Sequence, residues 1–179
     1  MQKFIRILFA AALIALVIWL CWTLFPSPER IIRSRLKNLA KIVSFEPGEG
    51  GISKAFKAQK LTDYFTVDAE AYVDVRGFPA QTVTGRDELM RGLMVAQSRL
   101  NGLKVEFMDI NVKLADDKQS AVANLTAQAN FTGDHDFNLL ELNFTFKKIE
   151  NRWVITRVET VKTLSLNLRP PAPALRHES

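Results

Sequence analysis

Hydrophobic and polar residues are arranged in three different ways along this chain, and the first arrangement is a single apolar block. From Ile7 to Phe25, 19 residues (ILFAAALIALVIWLCWTLF) run without a charge. At a rise of about 1.5 Å per residue such a helix nearly spans a hydrocarbon core of about 30 Å, so the block reads as a transmembrane anchor. Trp19, Trp22 and Phe25 gather at its C-terminal end, where amphipathic rings favour the membrane interface. Pro26 and Pro28 end it, because proline cannot continue a helix. A cleaved signal peptide would have an apolar region of about 7–15 residues followed by a small-residue site. Thr-Leu-Phe-Pro-Ser-Pro supplies no such site, and the anchor is expected to be retained.

The second arrangement has helical spacing. Ser27 can cap a helix with Pro28 at its first position, and Ile31, Ile32, Leu36, Leu39, Ala40 and Val43 then recur on one face. Glu46-Pro-Gly-Glu-Gly-Gly breaks the pattern. A second helix is expected from about Ile52 to Phe65. A strand should follow at about Glu70–Val75, with a short one near Gln81–Val83. Thr84-Gly-Arg-Asp87 has capping-box spacing and predicts a third helix to about Leu100, with Leu89, Met90, Leu93, Met94, Gln97 and Leu100 sharing a face.

The third arrangement alternates. Strands are expected at about Lys104–Leu114, Ser120–Thr132, Phe137–Ile149 and Arg152–Leu164, with hairpin turns at Asp116-Asp117 and Glu150-Asn151. Met108, Ile110, Val112 and Leu114 should form one face. Ala121, Ala123, Leu125, Ala127, Ala129 and Phe131 should form another, backed by Asn124, Thr126, Gln128 and Asn130. The fold class expected is α+β, three helices packed in a curved, mostly antiparallel sheet, cone-like, after one transmembrane helix. The chain divides into a tail and anchor (1–25), one domain (26–168) and a proline-rich tail (169–179) expected to be disordered.

Charge changes the picture less than the total suggests. The formal net charge is +5, but residues 29–60 hold eight Lys/Arg against three Asp/Glu, whereas residues 61–179 hold fourteen against sixteen. The basicity sits next to the apolar block, as anionic headgroups or plain solvated helix faces would explain. Nucleic-acid binding needs a basic surface with exposed aromatics and is not expected. The single cysteine, Cys21, lies inside the apolar block, which removes disulfide, zinc-cysteine and thiol-nucleophile readings. Lys3 and Arg6 at the short N-terminus favour an exported, periplasmic domain, while Arg30, Arg33, Arg35, Lys37 and Lys41 beyond the span pull the other way.

The order helix, helix, strand, helix, long meander resembles the nuclear-transport-factor-2-like superfamily, including its SnoaL-like members. The likeness rests on Ala55–Asp74 with Tyr64-Phe65-Thr-Val-Asp-Ala, on Gly85-Arg-Asp-Glu-Leu opening a helix, and on Asn151-Arg-Trp-Val-Ile-Thr-Arg-Val-Glu in the last strand. It implies a curved sheet wrapped on helices into a cone with a pocket at its open end. The superfamily holds isomerases, dehydratases, hydrolases and non-catalytic binding or assembly domains, so fold does not decide function.

The chemistry available is sparse. The histidines are His135, in a Gly133-Asp-His-Asp136 loop, and His177 in the tail. Neighbouring loop residues point apart, so no metal site is expected, and no cofactor motif is present. Tyr72 and Asp74 share a strand face and are candidates for hydrogen-bond donor and general base. Trp153, Ile155, Arg157, Glu159 and Val161 share a face of the last strand by parity. Trp153, Ile155, Arg157, Glu159 and Phe107 are therefore the candidate pocket lining, with Arg157 and Glu159 as a polar pair in an apolar cavity. The leading expectation is a membrane-anchored, non-catalytic binding or assembly domain, meeting a protein partner or second copy through the sheet face. The alternative is a pocket enzyme, isomerase-, dehydratase- or hydrolase-like, taking a small apolar molecule through Tyr72, Asp74, Arg157 or Glu159.

Overall fold

The structure, a computed structural model, describes residues 12–16, 19, 27–74, 80–133 and 137–164. Residues 12–16 are helical, with Leu13, Ile14 and Leu16 exposed. Most of the expected span from Ile7 to Phe25 lies outside the described residues, as do His135, His177 and the proline-rich tail. Among the described residues no helix is long and apolar enough to cross a membrane.

Helix α1 (Pro28–Val43) begins as its sequence predicts: Ser27 Oγ accepts from the Arg30 N–H at 3.4 Å and Pro28 occupies the first turn. Its apolar stripe buries Ile32, Leu36, Leu39 and Ala40. Burial of the isoleucine and the two leucines contributes about 1.5–3 kcal/mol each. Helix α2 (Gly51–Leu61) stops four residues before the expected end. A 3₁₀ turn (Thr62–Tyr64) follows, and β1 (Phe65–Val73) starts at the very residue expected to close the helix. The β-branched pair Thr66-Val67 favours extended backbone there over another helical turn.

Strand β2 (Gln81–Thr84) leads into α3 (Arg86–Arg99). The expected capping box does not form. Thr84 belongs to the strand, and the cap is Gly85 at φ 93°, whose N–H donates to Ala69 O at 2.7 Å. Asp87 and Glu88 still place negative charge in the first turn, favourable against the helix dipole. Met94, expected on the core face, is 47% exposed, while Leu93 and Gln97 are buried.

Strands β3 (Leu103–Leu114), β4 (Ser120–Phe131), β5 (Phe137–Ile149) and β6 (Arg152–Leu164) form the antiparallel meander. Asp117 Oδ1 caps the first turn, accepting from the Gln119 and Ser120 N–H groups, which hold its carboxyl below the usual range. Glu150 and Asn151 take positive φ, 48° and 64°, the signature of a two-residue hairpin whose twist matches its strands. The six-stranded sheet has the order β2-β1-β6-β5-β4-β3, with β1 and β6 parallel and the other neighbours antiparallel. The fold is thus α+β and cone-like: a curved sheet with helices on one face. Ala121, Ala123 and Ala127 are buried on that inner face as their alternation predicts, and their small side chains admit close packing.

Two bulges correct the predicted faces. The β3–β4 register shifts between Met108 and Asn111, with Asp109 at φ 51°. Val105 and Phe107 therefore face inward before it and Ile110, Val112 and Leu114 after it, while Met108 leaves the expected row. The β5–β6 register shifts beside Thr156, where Phe146 pairs with Ile155 but Thr145 with Arg157. One extra residue reverses the side chains that follow, here as far as the next β5–β6 register shift between Thr160 and Lys162. Trp153 and Ile155 stay in the core at 3% and 1% exposure, Val158 takes the next inner position, and Arg157 and Glu159 turn outward.

Candidate functional site

Two surfaces follow from this geometry. The outer face of the sheet carries a row that crosses all six strands in register: Asn111, Asn124, Asn143, Glu159, Tyr72 and Thr82. The adjacent row holds Lys113, Val122, Thr145, Arg157, Glu70 and Thr84. Most of the first row is uncharged and polar. At its centre Asn143 Oδ1 is shut off from solvent and accepts no hydrogen bond. Thr126, Gln128 and Asn130 are half-buried on this face, and a shallow hollow of about 310 Å³ lies between Asp109, Asn111, Asn124, Thr126 and Glu141.

The residues singled out for catalysis stand on or beside this outer face. Tyr72 is 41% exposed. Asp74 is exposed just past the end of β1, where its N–H donates to Thr160 Oγ1 at 3.2 Å. Arg157 reaches Glu159 at 2.6 Å and Glu70 at 3.8 Å, with about half of each side chain in solvent. The core side of the sheet receives none of them. Among the described residues the only buried polar side chain is Gln97, and no ionisable one is buried. Partly buried against the core is Tyr64, with the half-buried Arg35 guanidinium 4.7 Å from its ring centre.

The second surface is a cleft of about 1010 Å³ along the free edge of β3. Its walls are the C-terminal half of α1, the bend from Ser44 to Glu49, Lys57 of α2, and Leu103–Met108. Of the expected pocket lining only Phe107 reaches it; the Phe107 ring packs 5.8 Å from that of Phe144. Glu49 organises the bend. Its carboxylate lies 2.7 Å from Lys57 Nζ and accepts from Ser53 Oγ and from the Glu46 N–H. The Lys57 ammonium first, then the Ser53 hydroxyl, hold its carboxyl at about 2. Lys57 Nζ also donates to Ser44 O at 2.9 Å. On the strand side Lys104 pairs with Glu106 at 2.7 Å, which raises the exposed ammonium's pKa. Lys37 and Lys41 stand one helical turn apart on α1, exposed.

Sequence reasoning missed this cleft. The bend was legible only as a helix breaker, and nothing in the local pattern tells that Ser44 meets a strand 61 residues later. The one available signal was Lys37 and Lys41 at helical spacing opposite the buried stripe of α1.

No protein-family model matches the chain, and no curated protein sequence matches it. Solved structures do share its fold. The yeast UBP3-associated protein BRE5 superposes with a TM-score of 0.58 at 17% identity, over 79% of this chain and 100% of that one. An NTF2-like protein of unknown function from Pseudomonas putida gives 0.59 at 12% identity, over 79% and 96%. A candidate scytalone dehydratase from Novosphingobium aromaticivorans gives 0.52 at 19% identity, over 83% and 94%. At these identities the likeness establishes the fold alone: the chain shares the α+β cone of these structures.

Proposed function

We propose that this chain is a membrane-tethered, non-catalytic binding and assembly domain that meets a protein partner or a second copy of itself through the outer face of its sheet. The observation that carries the reading is the division of polarity between the two faces. The inner face buries no ionisable group among the described residues. The outer face presents a mostly polar row that crosses all six strands in register. The yeast complex of the deubiquitinase Ubp3 with its Bre5 cofactor places a protein of this fold in a protein assembly. The pocket-enzyme alternative needs Tyr72, Asp74, Arg157 and Glu159 to converge on an enclosed cavity. Their solvent-facing positions favour the binding reading.

The tether in this proposal is the uncharged block from Ile7 to Phe25, supported by the excess of positive charge in residues 29–60. The domain faces the exported side. Cysteines placed at Asn124 or Asn143, in a chain whose Cys21 is replaced by serine, are expected to give a cross-linked dimer or a discrete adduct in membranes. A control cysteine at the exposed Gln59 of α2 is expected to give none. A strictly monomeric full chain with no adduct from either sheet position overturns the reading. C-terminal alkaline phosphatase and fluorescent-protein fusions test the orientation, and an active phosphatase is expected.

A further inference from the structure

The cleft beside β3 is not used by the outer-face reading, and its chemistry is distinct. β3 is an edge strand, bonded to β4 alone within the sheet. A free edge offers a row of unpaired backbone N–H and C=O groups. Here the row is covered for a short distance only. Phe45 exchanges both backbone hydrogen bonds with Leu103, at 2.8 and 2.9 Å, and Ser44 Oγ accepts from the Val105 N–H at 2.9 Å. Backbone groups of alternate residues point the same way in a strand, so Phe107 presents the next N–H and C=O of this ladder. Phe107 lines the cleft, and among the described residues no strand pairs with it on that side.

The cleft's lining charges, four lysines against Glu46, Glu49 and Glu106, leave a surplus of one positive charge. Lys57 and Lys104 are neutralised within the cleft by Glu49 and Glu106. Lys37 and Lys41 have no carboxylate partner among the described residues. Their Cβ atoms, four residues apart on a helix, are separated by about 5–6 Å. Side chains on one face of an extended strand recur every two residues, at about 6.8 Å. Two carboxylates in an acid-x-acid pattern on an extended chain therefore reach both lysines. Leu103 and Val105 are already covered by Phe45 and Ser44, so the open part of the walled stretch begins at Phe107. Ala40 and Val105 give an apolar floor beside the lysines.

We propose that this cleft docks an extended acidic segment of another protein, which adds as a strand to β3 at Phe107 and sets alternate carboxylates on Lys37 and Lys41. Main-chain bonds to the edge supply affinity, and the lysines and the apolar floor supply selectivity. The site is independent of the outer-face reading. A change such as Asn143→Arg should abolish sheet-face association and leave this docking intact.

The test uses fluorescent eight-residue peptides with Glu at alternate positions and Val, Leu, Phe or Tyr between them, titrated by anisotropy against the full chain in neutral detergent. At least one is expected to bind, to slow hydrogen exchange at the Phe107 amide, and to weaken with added salt. Lys37→Glu/Lys41→Glu is expected to weaken it by about tenfold or more, as the loss of two partly exposed ion pairs implies. Both positions are exposed, and an unchanged far-UV spectrum and melting temperature check the fold. The same peptide methylated on the amides that would face β3 keeps its charges but cannot pair, and is expected not to bind. Equal binding of the methylated peptide overturns strand addition, and equal binding to the lysine variant overturns the charge match. Failure of the whole peptide set overturns the proposal, and if dodecyl phosphate then slows exchange at Phe107 the cleft is assigned to an amphiphilic anion instead.

Discussion

Replacing Glu49 with glutamine asks whether the bend between α1 and α2, and with it one wall of the cleft, is held by charge. The carboxylate is 14% exposed, lies 2.7 Å from Lys57 Nζ, and accepts from Ser53 Oγ and the Glu46 N–H. These partners, Lys57 foremost, hold its carboxyl at about 2 against an ordinary value of 4.5. At about 1.36 kcal/mol per pH unit, that difference sets a ceiling of about 3 kcal/mol at neutral pH. The loss on Glu49→Gln should be smaller, about 1–2 kcal/mol, because a glutamine keeps one acceptor and Lys57 keeps its bond to Ser44 O. A loss of that size lowers Tm by roughly 3–10 °C for a folded region of this length. The pH dependence has a definite sign. The folded-state pKa lies below the unfolded one, so the stabilisation is complete above about 4.5 and disappears as pH falls towards 2. Thermal unfolding of the full chain in neutral detergent, followed by near-UV circular dichroism, measures the gap between parent and variant. The gap should be widest near pH 7 and should have shrunk by about pH 3. A variant as stable as its parent at neutral pH, or a gap that persists undiminished into acid, refutes the reasoning.

Other consequences are quicker to check. Gly85→Ala forces a side chain onto a backbone at φ 93° with its Cβ 3.4 Å from Val67 O; urea unfolding should show a loss of about 1–3 kcal/mol, reduced in Gly85→Asn. Phe146→Ala empties a position that is 1% exposed and stacked on Phe144 at 6.4 Å, and should cost about 3–5 kcal/mol in the same assay. Arg157→Met removes two ion pairs that are about half in solvent, and stability should move by no more than about 1 kcal/mol. A loss several times larger would mean that the pair sits in an interior site.

The elements of this fold were legible because their periodicities are strong: the stripe of α1, the alanines of β4 and the two meander turns all stand where the pattern places them. The cleft was not legible, because Lys37 and Lys41, the bend at Glu49 and the edge at Phe107 come together only through tertiary packing of α1 against β3. The inward or outward sense of β6 failed for a sharper reason. Parity along Trp153, Ile155, Arg157 and Glu159 assumes an unbroken strand, and one extra residue at Thr156 reverses it. The sequence did hold a physical objection to that assumption. Carrying the parity through would have put a guanidinium and a carboxylate on the same inner face as Trp153 and Ile155, where desolvation costs several kcal/mol per ion before any pairing returns it. A bulge costs one unpaired residue and sends both charges to solvent, where Arg157 finds Glu159 and Glu70. In β3 the bulge at Asp109 likewise moves the inner row onto Ile110, Val112 and Leu114. A charged pair that parity assigns to a core face is thus itself evidence of a register shift upstream, and in this chain that inference would have moved Arg157 and Glu159 from the candidate pocket to the outer surface.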